Sequence, residues 1–301
     1  MLRLEKDGSP GGSPSRSTAI VSHNDLQVAA EHLPLLRANA LDSLDRLFES
    51  KQGESLSKPG LSPWRERLRL TLEVEGQTRT FYLKRFTNPP ARAGREVRRA
   101  RCGASSVAGL EWAWLRELAR QGIACPQPVA FGEDLVGTRE RRSAVLMAAV
   151  PGESLERWIP RRGLEDRAII CRLVVAVADL VARLHRRGYV HRDLYLSHLF
   201  FDPQAVAGEA LHLIDLQRIK RPRWALRRWI IKDLAALHYS TPRGIVSQTD
   251  RLRWLKQYLG LPKLNPSARR LIYRVAGKAQ RIARHDRRRL ARLTPAKAIQ
   301  P

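Results

Sequence analysis

The sequence predicts an α+β protein in two lobes, a small β-rich N-terminal lobe and a larger helical C-terminal lobe. Two observations carry this. Residues 68–86, LRLTLEVEGQTRTFYLKRF, alternate apolar and polar positions on both sides of Glu75-Gly76-Gln77, the pattern of a β-hairpin. After residue 152 the period changes, and Ile170, Leu173, Val174, Val177, Val181 and Leu184 keep helical spacing up to Gly188. The expected division is a leader over 1–20, an N-terminal lobe over 21–150 and a C-terminal lobe over 151–301.

Each element follows in turn. The opening stretch MLRLEKDGSPGGSPSRS is rich in Gly, Ser and Pro and has no apolar run of the kind a signal peptide needs, so it reads as a disordered leader of an intracellular protein. The hairpin places Lys84 on its second strand. Pro89, Pro90 and the basic run ARAGREVRRAR suggest a loop or a basic helix. In GLEWAWLRELARQGI, Leu110, Trp114, Leu115 and Leu118 mark one helical face, which Gly122 ends. QPVAFGED and SAVLMAAV read as short strands, and Pro151-Gly152 breaks the pattern. Beyond the buried helix, HLFFD and ALHLIDLQ read as strands around a turn at Pro203 to Gly208. Helices return at IIKDLAALHYS, at RLRWLKQYLG and in a basic tail from Ser267 to Leu293.

The 301 residues are 43% hydrophobic, enough for a substantial core, and carry 55 Lys plus Arg against 29 Asp plus Glu, a formal net charge of +26. Such a balance calls for a polyanionic partner: nucleic acid, an anionic membrane leaflet or a phosphorylated substrate. Cys102, Cys125 and Cys171 form no CxxC pair and read as inert thiols in a reducing compartment. The most apolar run, AIICRLVVAVADLVARL, is interrupted by Arg172, Asp179 and Arg183, so it reads as a soluble helix, and any membrane contact is expected to be peripheral.

Four residues with chemistry fall in one order: Lys84 on a strand, Glu111 on the next helix, Asp193 in a loop after a buried helix, and Asp215 at the end of a strand. Phosphoryl transfer needs a cation on the nucleotide phosphates, a carboxylate to hold that cation, a carboxylate near the attacking hydroxyl and another for Mg²⁺. Each of the four matches one need. Glu96, in GREVRR, is a rival to Glu111 as the partner of Lys84. The phosphate-cradling turn is not evident, and ESKQGESLSKPG over 49–60 offers Gly53 and Ser55.

This constellation resembles the protein-kinase-like fold over roughly residues 64 to 240. FYLKR is similar to the strand lysine, HRDLYLSH to the catalytic loop, and LIDLQ to the metal-binding segment. There are departures: His198 replaces Asn five residues after Asp193, Asp215-Leu216-Gln217 replaces Asp-Phe-Gly, and neither Ala-Pro-Glu nor GxGxxG is present. HRDLYLSH, LHLIDLQRI and WIIKDLAALHYST together resemble the bacterial lipopolysaccharide kinases, the WaaP and Kdo kinase group.

That resemblance implies ATP- and Mg²⁺-dependent phosphorylation of a heptose or Kdo hydroxyl of the lipopolysaccharide inner core, on a lipid A precursor at the cytoplasmic face of the inner membrane. Under it, Asp193 orients the acceptor hydroxyl, Lys84 holds nucleotide phosphates with Glu111 as its partner, and Asp215 binds Mg²⁺. Because Mg²⁺ prefers oxygen ligands, His198 either binds the metal weakly, contacts phosphate or holds the loop. His191 and Arg192 brace the loop, and Asp233 anchors it from below.

Other readings are weighed against this one. A kinase for cationic small molecules calls for an acidic acceptor groove, which the composition opposes. A protein kinase lacks its activation-segment motifs here, and a pseudokinase would bind ATP without turnover. A nucleic-acid-binding protein rests only on charge and interleaved Trp and Arg, so no nucleic acid is expected as partner. The tail places Leu271, Val275, Ile282 and Leu290 near helical spacing among basic residues, which suits either an anionic membrane surface or packing on the lobe. The arginines of RIKRPRWALRRW, residues 218–229, are candidates for gripping anionic groups of the acceptor.

Overall fold

A computed structural model describes residues 19–56, 62–74, 76–163, 165–205 and 210–293. The expected leader lies outside these residues except at Ala19 and Ile20, and Ile20 already begins the first strand. The chain divides into two compact units. One runs to Pro151 and also takes in His212–Gln217; the other comprises Gly152–Leu211 and the residues from Arg218 onward.

The first unit is built on strands β1 (Ile20–His23) and β2 (Leu26–Ala29), helices α1 (Leu33–Ala38) and α2 (Leu44–Glu49), and the short strand β3 (Glu54–Ser55). Then come the hairpin β4 (Arg65–Val74) and β5 (Gln77–Thr87), helices α3 (Ala91–Ala100) and α4 (Val107–Arg120), and the hairpin β6 (Pro128–Val136) and β7 (Arg139–Ala148). All seven strands form one antiparallel sheet in the order β1-β2-β6-β7-β5-β4-β3.

Because side chains alternate along a strand, β5 serves two faces at once. Phe81 and Leu83 join a core with Leu36 and Leu41, and with Leu44 and Leu47 of α2. On the same side Arg85 is buried and donates to Leu47 O at 2.6 Å and Ser50 O at 2.7 Å, satisfying carbonyls at the end of α2. Lys84, one residue away, faces α4 instead. The region left open as loop or basic helix is α3. The β1–β2 hairpin and the helices α1 and α2 were not expected from the sequence: each is only four to six residues long, too short to show a period.

The second unit contains β8 (Glu153–Ser154), α5 (Leu155–Arg162), α6 (Arg167–Arg186) and β9 (Leu199–Phe201). The chain then crosses through β10 (Leu211–Leu213) and continues as α7 (Leu226–Ser240), α8 (Gln248–Leu259) and α9 (Pro266–Leu293). Asp166 caps α6 by accepting the Ile169 N–H at 2.9 Å, and Ser247 with Asp250 forms a reciprocal capping box on α8. Gly152, at φ +77°, lets β8 approach β9: a Cβ there would stand 2.0 Å from Phe201 O.

The basic tail becomes α9 and turns its apolar side inward, burying Ala268, Leu271 and Ala279, while Leu290 stays exposed. Among the described residues no helix is long and apolar enough to cross a membrane. All three cysteines are free, and burial pushes the Cys125 thiol up to about 12, which leaves it unreactive near neutral pH.

Candidate active site

The sheet-bearing unit assembles three of the four predicted residues. The start of α4 is fixed by side chains: Ser106 accepts the Gly109 N–H at 3.0 Å, Glu140 the Val107 N–H at 2.9 Å and Ser143 the Ala108 N–H at 3.2 Å. One turn on, Glu111 occupies the buried stripe it shares with Leu115 and Leu118, at 1% exposure. Its carboxylate accepts the Lys84 ammonium at 2.6 Å. Asp215 approaches the same ammonium at 3.5 Å. The segment bearing Asp215 is tied to this unit by Leu213 N–H donating to Ala124 O at 2.9 Å.

Burial pushes the Glu111 carboxyl up, and Asp215 adds to that, while the Lys84 ammonium pulls it down. Arg67, directly opposite Lys84 in the β4–β5 register, also pulls it down. Glu96 lies on α3, and the carboxylates beside Lys84 are those of Glu111 and Asp215.

Asp215 has φ +58°, an uncommon backbone state for a residue other than glycine, of the kind that surrounding structure must enforce. Its side chain is 31% exposed. Among the described residues no three His, Cys, Asp or Glu side chains group as a metal cage. Mg²⁺ needs none, because it is held by one or two carboxylates together with substrate phosphates and water. Asp215 fits that use.

Ser55 and Gly53, the suggested phosphate-cradling pair, stand on and just before β3. Gly53 has φ +101°, and a Cβ there would come within 2.5 Å of Leu70 and 2.6 Å of Arg69 O. Close packing on β4 therefore accounts for this glycine. Residues 57–60 of the suggested stretch lie outside the described residues.

The helical unit holds the loop around Asp193. Asp233, fully buried on α7, accepts the backbone N–H of His191 and that of Arg192, each at 2.7 Å, and lies 3.4 Å from His185 Nε2. Arg192 sits at φ +72°, and these bonds hold it there. The Lys232 ammonium donates to the carbonyl of Arg192. His198 Nδ1 donates to the carbonyl of Asp193 at 2.7 Å. Tyr195 N–H reaches the same carbonyl at 2.9 Å, and Leu196 N–H donates to Ser240 Oγ at 3.0 Å.

The Asp193 carboxylate, 22% exposed, accepts from Arg218 at 2.6 Å and has Lys232 at 3.7 Å. Two more cations share this neighbourhood. Lys220 lies 3.8 Å and Arg192 5.2 Å from the ring centre of Trp229. The Lys232 ammonium is pushed down by burial, against Asp193, and further by Arg218 and Arg192. Lys220 is likewise pushed down by burial, Arg192 and Lys232. Arg218 and Lys232 beside Asp193, with Arg192 and Lys220 close enough to act on Lys232, outnumber the carboxylates of Asp193 and Asp233 and leave a local positive excess, which favours a multiply charged anion.

Lys232 and the pairing of Arg218 with Asp193 were not anticipated. The available signal was adjacency: Lys232 directly precedes the loop-anchoring Asp233, and Arg218 comes three residues after Asp215.

The model of the lipopolysaccharide kinase (Kdo/WaaP) family matches residues 64–258. Lipopolysaccharide core heptose(I) kinase WaaP of Pseudomonas aeruginosa is 33% identical over 164 residues, covering 50% of this chain and 59% of that protein. The same-named protein of Escherichia coli K12 is 28% identical over 187 residues, covering 60% and 71%. The chain thus spans 59% of the first relative's length. A solved structure of WaaP in complex with acyl carrier protein superposes with a TM-score of 0.60 at 27% identity, covering 85% of this chain and 96% of that one.

Proposed function

Because the chain belongs to the lipopolysaccharide kinase (Kdo/WaaP) family, we propose that it transfers the γ-phosphate of ATP to a sugar hydroxyl of the lipopolysaccharide inner core. The observation that carries this reading is the Asp193 loop, whose backbone is pinned by Asp233 and whose carboxylate lies beside Arg218 and Lys232. Heptose is favoured over Kdo as acceptor by the names of the relatives.

In this mechanism Lys84 holds α- and β-phosphate oxygens, and Glu111 fixes the rotamer of Lys84 through the 2.6 Å bond. Asp215 would hold Mg²⁺, which when bound neutralises charge developing on the phosphates. Asp193 accepts the hydrogen bond of the acceptor hydroxyl and orients it for attack. Lys232 and Arg218 balance negative charge beside Asp193, and His198 holds the loop through the Asp193 carbonyl. The cationic surroundings of Asp193 disfavour a cationic acceptor.

The protein acts, in this reading, as a peripheral enzyme at the cytoplasmic face of the inner membrane, drawn to its anionic surface by excess positive charge. Acyl carrier protein is a further proposed partner, from the solved relative. Supporting it, the helical unit has a half-open cavity of about 190 Å³ lined mostly by apolar side chains, including Leu173, Val177, Leu234, Leu255, Leu271 and Val275, chemistry suited to an acyl chain.

The test is transfer of labelled γ-phosphate to purified inner-core lipopolysaccharide lacking phosphate, with Asp193→Asn beside the wild type. Label with the wild type and a loss of about 10²- to 10⁴-fold in the variant supports the reading. A folded wild type that stabilises on ATP with Mg²⁺ but transfers nothing leaves a pseudokinase or a kinase for a different acceptor as the better account.

A further inference from the structure

From Leu216 through Lys232 the chain carries seven Lys or Arg and no Asp or Glu. Both ends of this segment are fastened to the Asp193 loop. Arg218 pairs with Asp193, and Lys220 exchanges two backbone hydrogen bonds with Val190, at 3.0 and 3.1 Å. Farther on, Trp229 packs under Lys220 and Arg192. Between these fastenings Arg221, Arg223, Trp224, Arg227 and Arg228 are exposed to water. Trp224 is 85% exposed, and the next residue, Ala225, holds a left-handed turn at φ +57° that starts α7.

An indole held out in water beside a pinned loop forgoes the burial that aromatic side chains ordinarily gain. Trp is also the side chain that settles at a membrane–water interface, with its ring at headgroup level. The flanking arginines suit lipid phosphates. Trp224's chain neighbours, Arg223 and Ala225, carry no side-chain acceptor for sugar hydroxyls. The other basic surface, α9, differs: its apolar residues Leu271 and Ala279 are already buried, leaving charge with only scattered exposed apolar groups such as Tyr273 and Leu290.

We propose that Trp224 and the arginines at 221, 223, 227 and 228 form a docking tip that inserts at the headgroup level of an anionic leaflet. The tip thereby sets the Asp193 loop at a fixed height above the lipid. The second step rests on the kinase reading above; binding to lipid does not.

The experiment measures co-sedimentation of the full chain with vesicles of phosphatidylethanolamine and phosphatidylglycerol, and with neutral phosphatidylcholine vesicles. The wild type should prefer the anionic vesicles. Trp224→Ala, with an unchanged melting temperature, should partition about tenfold more weakly, and Trp224→Tyr should retain most of the binding. Trp224→Ala should also lose kcat/KM on acceptor embedded in vesicles while keeping its activity on a water-soluble, deacylated core acceptor.

Equal vesicle binding by wild type and Trp224→Ala overturns the proposal. So does a loss in that variant confined to a single-stranded oligonucleotide, which would assign the tip to nucleic acid. If wild type labels neither acceptor, the kinase reading fails, and vesicle binding still decides the docking tip.

Discussion

Arg218 donates to the carboxylate of Asp193 at 2.6 Å, across 25 residues of chain. The aspartate proposed to receive the acceptor hydroxyl is thus already paired with a half-exposed guanidinium. The pairing holds the carboxylate and, under the proposed function, places a half-exposed cation where anionic groups of the acceptor would arrive.

Arg218→Ala should raise the KM for an anionic acceptor about tenfold and leave the KM for ATP unchanged. Steady-state kinetics with each substrate varied separately checks this. A change confined to ATP would remove Arg218 from the acceptor side.

Asp233→Ala leaves two backbone N–H groups, that of buried His191 and that of half-buried Arg192, without their acceptor. The expected loss is about 3 kcal/mol of unfolding free energy, read from urea denaturation. Activity should fall further than stability explains, because the loop carrying Asp193 loses its anchor.

Glu111 has its carboxyl raised in the folded protein, by burial first and against the pull of Lys84. A group of this kind contributes its stability below the unfolded value, near 4.5, and loses it as pH rises through the folded value. Glu111→Gln does not titrate there, so the wild type should lose stability relative to the variant over that rise. Urea midpoints of the two proteins, measured from pH 4 upward, check the sign. The variant's KM for ATP should increase, because Lys84 loses its partner.

Asp250 shows the opposite sign. Burial alone would raise its carboxyl, but hydrogen bonds from Arg167 and Ser247 overcome that and hold it down to about 2. Its contribution is present above the ordinary aspartate value of 3.8 and is lost as pH falls towards 2. Asp250→Asn should therefore cost about 2 kcal/mol at pH 7 and progressively less as pH falls through about 2. Thermal melts at both ends of the range test it.

Long periodic segments were legible without coordinates. The β4–β5 alternation and the α6 stripe each repeat often enough that only one backbone period buries the apolar side. Glu111 was readable only through the order of the motifs, with Glu96 as a rival, and the structure puts Glu111 beside Lys84. By contrast, β1, β2, α1 and α2 each show a handful of residues, and their apolar positions acquire meaning only when they meet Leu70, Phe81 and Leu83 across the sheet.

The sequence by itself determined which residues can do chemistry and the order in which the chain presents them: Lys84, Glu111, Asp193, Asp215, with Asp233 beneath the loop. Tertiary structure alone decided what surrounds them. Arg67 meets Lys84 through strand register, Lys232 reaches Asp193 because α7 passes beneath the loop, and α9 spends its apolar face on packing while Trp224 keeps its ring in water. Periodicity reports the faces that one element offers along its own axis. Which face meets which partner is settled by packing between distant segments, and no local pattern records that choice.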